Sequence, residues 1–449
     1  MQRIKPEDIL DRAIWPSSAV RNGAGALEIG GVDCRDLVAQ YQSPVYLFDE
    51  IDARSRAEGF REAYERAGAT TVYYAAKAFL ATAVAKWVTE AGLGIDVASG
   101  GELEVVLRAG VPGHRILLHG NNKSIAEIEL ALAAGVGRIV VDSLDEIVRL
   151  ADAAGHFGIV QQVLVRVTVG VEAHTHEFIA TAHEDQKFGL SVASGDAAEA
   201  VRRIAKLPTL SFAGLHSHLG SQIFDASGFN EAATRVASFA RSLRDEQGVS
   251  VRELNLGGGM GIAYVDGDDP LDAADMARQI CSVVRTECES VGVATPELAF
   301  EPGRAIIGPA GVTIYEVGTV KPIELDDGLV RTYISVDGGM SDNIRTALYG
   351  AQYSVVLASR ISMVEPMLAR VVGKHCESGD IVVRDTWLPA DVVPGDLLAV
   401  AATGAYCRSM SSNYNYLPRP AVIAARGGAT SVVLRRETTE DLLSLDPGA

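Results

Sequence analysis

The chain has 449 residues, 48% hydrophobic and 22% charged, a globular composition at a length that suggests two or three domains. Its formal net charge of -18 opposes non-specific binding to nucleic acid or to anionic membranes, while leaving room for a small basic pocket that takes an anionic ligand. No uninterrupted apolar run approaches about 18 residues, and MQRIKPEDILDRAIW lacks the apolar core and cleavage site of a signal peptide, so a cytoplasmic protein is expected. The five cysteines, Cys34, Cys281, Cys288, Cys376 and Cys407, are scattered without a CxxC pair, which argues against disulfides and against a cysteine-zinc site.

From residue 72 onward, short apolar or β-branched runs recur, each closed by polar or glycine residues and followed by apolar positions at helical spacing. In chain order they are VYYAAKA (72–78), GIDVAS (94–99), RILLHGN (115–121), RIVVDS (138–143), VLVRV (163–167), FAGLHSHLG (212–220), ELNLGGG (253–259) and ELAFEPG (297–303). GGELEVVLRAG and SIAEIELALAAG, which lie between them, read as amphipathic helices ending at glycine. Eight strand-helix units predict an α/β fold, a closed (β/α)8 barrel; an open doubly wound sheet has the same pattern, but eight units in about 240 residues match barrel length. After residue 311, strand-like runs follow without helices: GVTIYEVGTVKPIE, RTYISVDGG, MLARVVGK, DIVVRDTWLP and SVVLRRE. They predict a second, mostly β domain, which residues 25–47 join through their own strand character.

VYYAAKAF sets Lys77 in an otherwise uncharged run. Alternation along a strand puts Tyr73, Ala75 and Lys77 on one face. A poorly solvated ammonium there must be paired, shifted in pKa, snorkelling or covalently used. Reactive groups of a barrel gather at the C-terminal ends of its strands. Here those ends bring Lys77, Asp96, His119 with Asn121 and Asn122, Asp142, Arg166, His216 with His218, Gly257, Gly258 and Gly259, and Glu301 with Arg304 to one rim. The turns LGGGMG and EPGR follow strands seven and eight, where barrels often bind phosphate and glycine lets backbone N–H groups approach an anion. A plain tight turn, or a structural ion pair of Arg304 with Glu301, would use the same residues. A phosphate-bearing cofactor together with a lysine on strand one points to pyridoxal 5'-phosphate held as a Schiff base. His216 and His218 read equally as a metal-ligand pair, which makes a metal-dependent barrel hydrolase the rival class; a catalytically silent coenzyme-binding regulator is a third reading.

With VYYAAKAF, HSHLGSQ, LNLGGGMG, EPGR, HCESGD and GAYCRSMSSNYN in this order, the chain resembles the pyridoxal-phosphate-dependent decarboxylases of the alanine-racemase-like barrel fold. The likeness runs from SPVYLFDE at 43–50 to the last strands. It implies a coenzyme-binding (β/α)8 barrel over residues 48–311 and a β-barrel domain from residues 1–47 and 312–449. Lys77 is then the Schiff-base lysine, Glu301 the partner of the pyridine nitrogen, and His218 the group stacked on the ring, with Asp96 and Arg166 orienting the cluster. Ser221, Gly257, Gly258, Gly259, Pro302, Gly303, Arg304 and Tyr406 surround the coenzyme, mostly at its phosphate. The same resemblance implies a head-to-tail homodimer with shared sites, to which Cys376 and Glu377 contribute from the other subunit. Read alone, Cys376 is an inert small residue and Glu377 a solvated acid. Arg345 and Tyr349 lie four apart, on one face of a helical turn, and with Arg304 and Tyr406 are implied as substrate ligands.

Arginine reads a carboxylate and glutamate pairs with ammonium, so Arg304, Arg345 and Glu377 suit a substrate charged at both ends. The expectation is decarboxylation of meso-2,6-diaminopimelate to L-lysine rather than of ornithine, arginine or lysine, which offer no distal carboxylate to a buried arginine. Either Cys376 or Lys77 would protonate the carbon afterwards. One departure from the family pattern is RVTVGVEAHTHEF at the exit of strand five, where relatives often carry asparagine and proline before the glycine; His174 and His176 read as loop residues.

Overall fold

The computed structural model describes residues 10–170, 187–326 and 328–448, so most of the strand-five exit, His174 and His176 included, lies outside the described residues. Two compact units emerge: Ser55–Gly261 with Pro270–Gly303, and Met1–Arg54 with Ile262–Asp269 and Arg304–Ala449.

The first unit is built on eight parallel strands: β1 (Ala69–Ala75), β2 (Gly94–Val97), β3 (Ile116–Leu118), β4 (Arg138–Val141), β5 (Gln161–Thr168), β6 (Leu210–His216), β7 (Glu253–Asn255) and β8 (Glu297–Phe300). Each pairs with the next, and β8 pairs with β1, which closes the barrel. All eight runs read from the sequence contain a strand. Six of the strands are shorter than their runs, because the polar ends of those runs have turned into the loops of the rim; β1 matches its run in length and β5 exceeds it. Helices follow from local signals. Ser99 accepts from the Glu102 N–H to start Gly100–Arg108, and Ser124 and Glu127 form a capping box ahead of Ile125–Ala133. Gly158, in the left-handed region, ends Leu144–Phe157.

Alternation then decides what fills the barrel. Tyr73, Leu117, Val140, Leu164, Ala213 and Ala299 form one buried apolar cluster. Two residues further along, the same faces carry Ala75, His119, Asp142, Arg166 and Glu301. Register places Asp96 beside Ala75, His216 beside Arg166, and Asn255 beside His216. A polar layer therefore caps the apolar layer.

The second unit carries a nine-stranded sheet. Its path runs Ile381–Pro389, Pro366–Val372, Val330–Val336, Gly311–Glu324, Val45–Asp49, Ala421–Arg426 and Ala429–Leu434, with Leu397–Val400 attached at Gly311–Glu324 and Val355–Leu357 paired in turn to Leu397–Val400. Val45–Asp49 thus supplies a central strand from the N-terminal segment, antiparallel to one neighbour and parallel to the other. The strands at 355–357, 397–400 and 421–426 lie outside the runs picked out by pattern; two are only three or four residues long, too short to show a period.

Candidate active site

Lys77 sits one turn beyond its expected place. β1 stops at Ala75, and Ala76–Ala78 forms a 3-10 turn that carries the lysine over the rim. Its side chain is 43% exposed, so the expectation of an ammonium deprived of water is corrected: strand alternation no longer applies past Ala75. Nζ lies 3.8 Å from Asp96 Oδ2, a buried oxygen that accepts no hydrogen bond among the described residues. Burial pushes the Asp96 carboxyl up to about 6, against the opposing pull of His119 and Lys77.

Glu301 lies at the centre of the polar layer, 2% exposed. Its Oε1 is 2.9 Å from His119 Nε2, 2.8 Å from Asn255 Nδ2 and 3.2 Å from His216 Nε2, whereas Oε2 has His216 Nε2 at 3.5 Å. Burial would raise this carboxyl, but His119 and His216 outweigh it and hold it well below the usual carboxylate range. His216 itself is pushed down to about 3 by burial and is a neutral ring. A bulge between Phe212 and Gly214 shifts the phase of β6 by one residue, which is what turns His216 inward beside Arg166.

The structure does not bring His216 and His218 together as a ligand pair. The strand ends at His216, and the His218 ring lies in the following turn with Nδ1 accepting from the Gly258 N–H at 3.3 Å. Burial holds His218 well below its ordinary value, so this ring too is neutral. Among the described residues, the one cluster of metal-capable atoms is His119, His216 and Glu301. Arg166 lies 3.8 Å from Asp142 Oδ1 and 4.4 Å over the Phe188 ring.

Both glycine turns demand glycine. A Cβ on Gly258 would meet the Glu301 carbonyl at 2.2 Å, and one on Gly259, at φ +106°, the Gly220 carbonyl at 2.4 Å. On Gly303 it would lie 2.9 Å from Ala75, whose N–H donates to Pro302 O at 3.2 Å. Ser221 is half-buried in the turn after His218.

Arg304 and Tyr406 belong to the second unit, with Arg345 and Tyr349. Arg304 Nη1 donates to Tyr264 Oη at 2.6 Å, and its guanidinium lies 4.6 Å over the Tyr406 ring, on a backbone held at φ +59°. Arg345 Nη1 donates to Tyr353 Oη at 2.6 Å and lies 4.8 Å over the Tyr264 ring. Arg345 and Tyr349 do share the short helix Arg345–Tyr349. Tyr264 and Tyr353 had no distinguishing signal in the sequence, since single tyrosines in loops are common. His119 and Asn255 were visible as rim residues but carried no motif that assigned them to Glu301. Cys376 and Glu377 are both exposed, beside a buried His375 whose Nε2 is 2.9 Å from Ser341 Oγ and whose ring stacks on Tyr414.

A barrel with a rim lysine, an ionised buried acid and two glycine turns is a pyridoxal-phosphate type of site. Residues 51–308 match the family model described as "Pyridoxal-dependent decarboxylase, pyridoxal binding domain". The diaminopimelate decarboxylase of Mycobacterium tuberculosis is 56% identical, with 96% of this chain and 97% of the relative covered; that of Bacillus subtilis is 44% identical over 95% and 96%. A crystal structure of the M. jannaschii diaminopimelate decarboxylase in co-complex with L-lysine superposes with a TM-score of 0.88 at 30% identity, covering 96% of this chain and 98% of that one. The chain belongs to the pyridoxal-dependent decarboxylases, and within them to the diaminopimelate decarboxylases.

The residues fit the family's coenzyme. The orphaned Asp96 oxygen beside Lys77 suits an amine-bearing group there, and the sparsely engaged Oε2 of Glu301 suits a cationic ring nitrogen.

Proposed function

We propose that this chain converts meso-2,6-diaminopimelate to L-lysine and CO2 with pyridoxal 5'-phosphate, the last step of lysine synthesis. The observation that carries the reading is Glu301, a buried carboxylate held ionised by hydrogen bonds in a barrel whose His216 and His218 are neutral rings. Relatives of this chain bear the name of that activity, and one was crystallised with the product.

Lys77 Nζ would hold the coenzyme through its aldehyde, and Asp96 would steady the ammonium form of the free amine. Glu301 keeps a proton on the ring nitrogen by stabilising its cation, and Arg166 adds positive charge to the layer. His218, neutral, offers a flat face for stacking. Ser221, Gly257, Gly258, Gly259, Pro302, Gly303, Arg304 and Tyr406 line the phosphate end. When bound, the coenzyme supplies an electron sink for the pair left as CO2 departs. Arg345, with Arg304, Tyr349 and Tyr406, reads substrate carboxylate, and Glu377 of the partner subunit takes the distal ammonium. Cys376 of the partner subunit or the freed Lys77 Nζ returns a proton to the carbon. The exposure of Cys376 and Glu377 on the second unit suits a homodimer with shared sites. Five free cysteines suit a reducing compartment such as the cytoplasm.

The test is CO2 release from diaminopimelate, ornithine, arginine and lysine side by side. Release from diaminopimelate alone is expected; comparable release from a substrate without a distal carboxylate would overturn the specificity. Shared sites predict that inactive Lys77→Ala and Cys376→Ala proteins regain part of the activity when mixed, because one hybrid site is intact. No recovery despite demonstrated subunit exchange would remove the shared-site reading.

A further inference from the structure

Asn255, fully buried at the end of β7, is fixed in one orientation by its neighbours. The Gly257 N–H donates to its Oδ1 at 2.8 Å. A backbone N–H can only donate, so Oδ1 is the acceptor and Nδ2 carries the hydrogens. Nδ2 lies 2.8 Å from Glu301 Oε1, which is therefore an acceptor as well. The circuit closes through the backbone, for the Glu301 N–H donates to Gly257 O at 2.8 Å. Three hydrogen bonds thus tie the acid of β8 to the first glycine of the turn after β7. His119 Nε2 reaches the same Oε1 at 2.9 Å. Among the described residues, Oε1 is saturated and Oε2 is left with a single contact at 3.5 Å.

We propose that Asn255 is a positioning residue that aims Glu301: by occupying Oε1 with a donor whose orientation Gly257 dictates, it keeps a proton off that oxygen and presents Oε2 to the ring nitrogen of the coenzyme. The Gly257 N–H is spent in this circuit and does not donate to phosphate, which leaves that turn's anion contacts to other groups. The inference rests on Glu301 as the partner of the ring nitrogen.

Asn255→Asp is the sharpest probe. It is isosteric and keeps an acceptor for the Gly257 N–H, but sets a second carboxylate oxygen against Oε1, so the pair must share a proton. Asn255→Ala removes the donor without adding charge and serves if the first variant folds poorly. Apoenzyme prepared from each holoenzyme is titrated with pyridoxal phosphate and with its 1-deaza analogue, in which carbon replaces the ring nitrogen, and the ratio of the two affinities is recorded. The wild-type protein is expected to prefer the natural coenzyme, and Glu301→Gln to lose that preference. Both Asn255 variants are expected to lose about tenfold of it, the scale of one hydrogen bond to a charged group. A general structural defect would weaken both ligands alike and leave the ratio unchanged. A wild-type ratio in both Asn255 variants alongside a collapsed ratio in Glu301→Gln overturns the role of Asn255 alone; a wild-type ratio in Glu301→Gln overturns the reading of Glu301 and this inference with it.

Discussion

The polar layer of the barrel and the arginine-tyrosine cluster of the second unit are both built from buried charge, yet they are assembled by different rules. In the barrel, strands one register apart place Asp96, His119, Asp142, Arg166, His216, Asn255 and Glu301 on a common inner face, directly above an apolar layer. Its acids lie against a lysine, imidazole rings and a guanidinium. In the second unit, Arg304 and Arg345 are covered by the rings and hydroxyls of Tyr264, Tyr353 and Tyr406, from four separate stretches of chain. Tyrosine can satisfy a guanidinium without cancelling its charge, so these cations keep their reach for an anionic ligand. Neutralised charge suits a place that tunes a coenzyme; retained charge suits a place that captures a carboxylate.

The largest effect that tests this contrast comes from Lys77→Ala. Turnover is expected to fall on the order of 10^4-fold or more, since the amine is the proposed covalent participant, and borohydride should no longer fix coenzyme to the protein. Retained turnover would break the assignment of the barrel rim as the reacting centre. Next is Arg345→Met, which keeps volume and removes charge. Specificity for diaminopimelate, as kcat/KM, should drop by about 10^2-fold, the cost of losing one buried charge pair with a carboxylate, with the drop carried mainly by KM. An unchanged KM would mean that the tyrosine-wrapped arginine serves the fold instead.

The smallest effect is one of stability. Asp96 keeps its proton in the folded chain up to about pH 6, against an ordinary value of 3.8, so the folded state binds the extra proton between those limits and loses stability as pH rises through them. Asp96→Asn abolishes that loss. Relative to the parent, the variant should gain up to about 3 kcal/mol above pH 6 and little at pH 4, read from denaturant melts of the apoprotein. Equal gains at both values would show that Asp96 is not strained by its burial, and the balance ascribed to the barrel layer would need revision.

Much of the barrel was legible because its information is local. Eight apolar runs, each ending in polar residues, mark both the strands and the rim, and Lys77, Asp96, Arg166, His218 and Glu301 all lie at such ends. What was not legible there is phase. β6 ends at His216 and His218 falls in the following turn, so a count of two between them does not set a common face, and the bulge upstream shows only in the register with β5. The turn after β1 similarly lifts Lys77 off its strand and into solvent reach. In the second unit the motifs GAYCRSM and SDNIRTALY pointed to Tyr406 and Arg345, while their companions Tyr264 and Tyr353 stand in stretches with no repeating pattern.

By itself, the sequence determined the eight-fold rhythm, the polar rim and the family, because periodicity and motif order are properties of neighbouring residues. Only the tertiary structure decided that His119 and Asn255 clamp Glu301, that His216 faces inward, and that Tyr264, Tyr353 and Tyr406 cover the arginines. Three of these four hydrogen bonds join positions 40 or more residues apart, and a hydrogen bond of that span leaves no period in the chain that makes it.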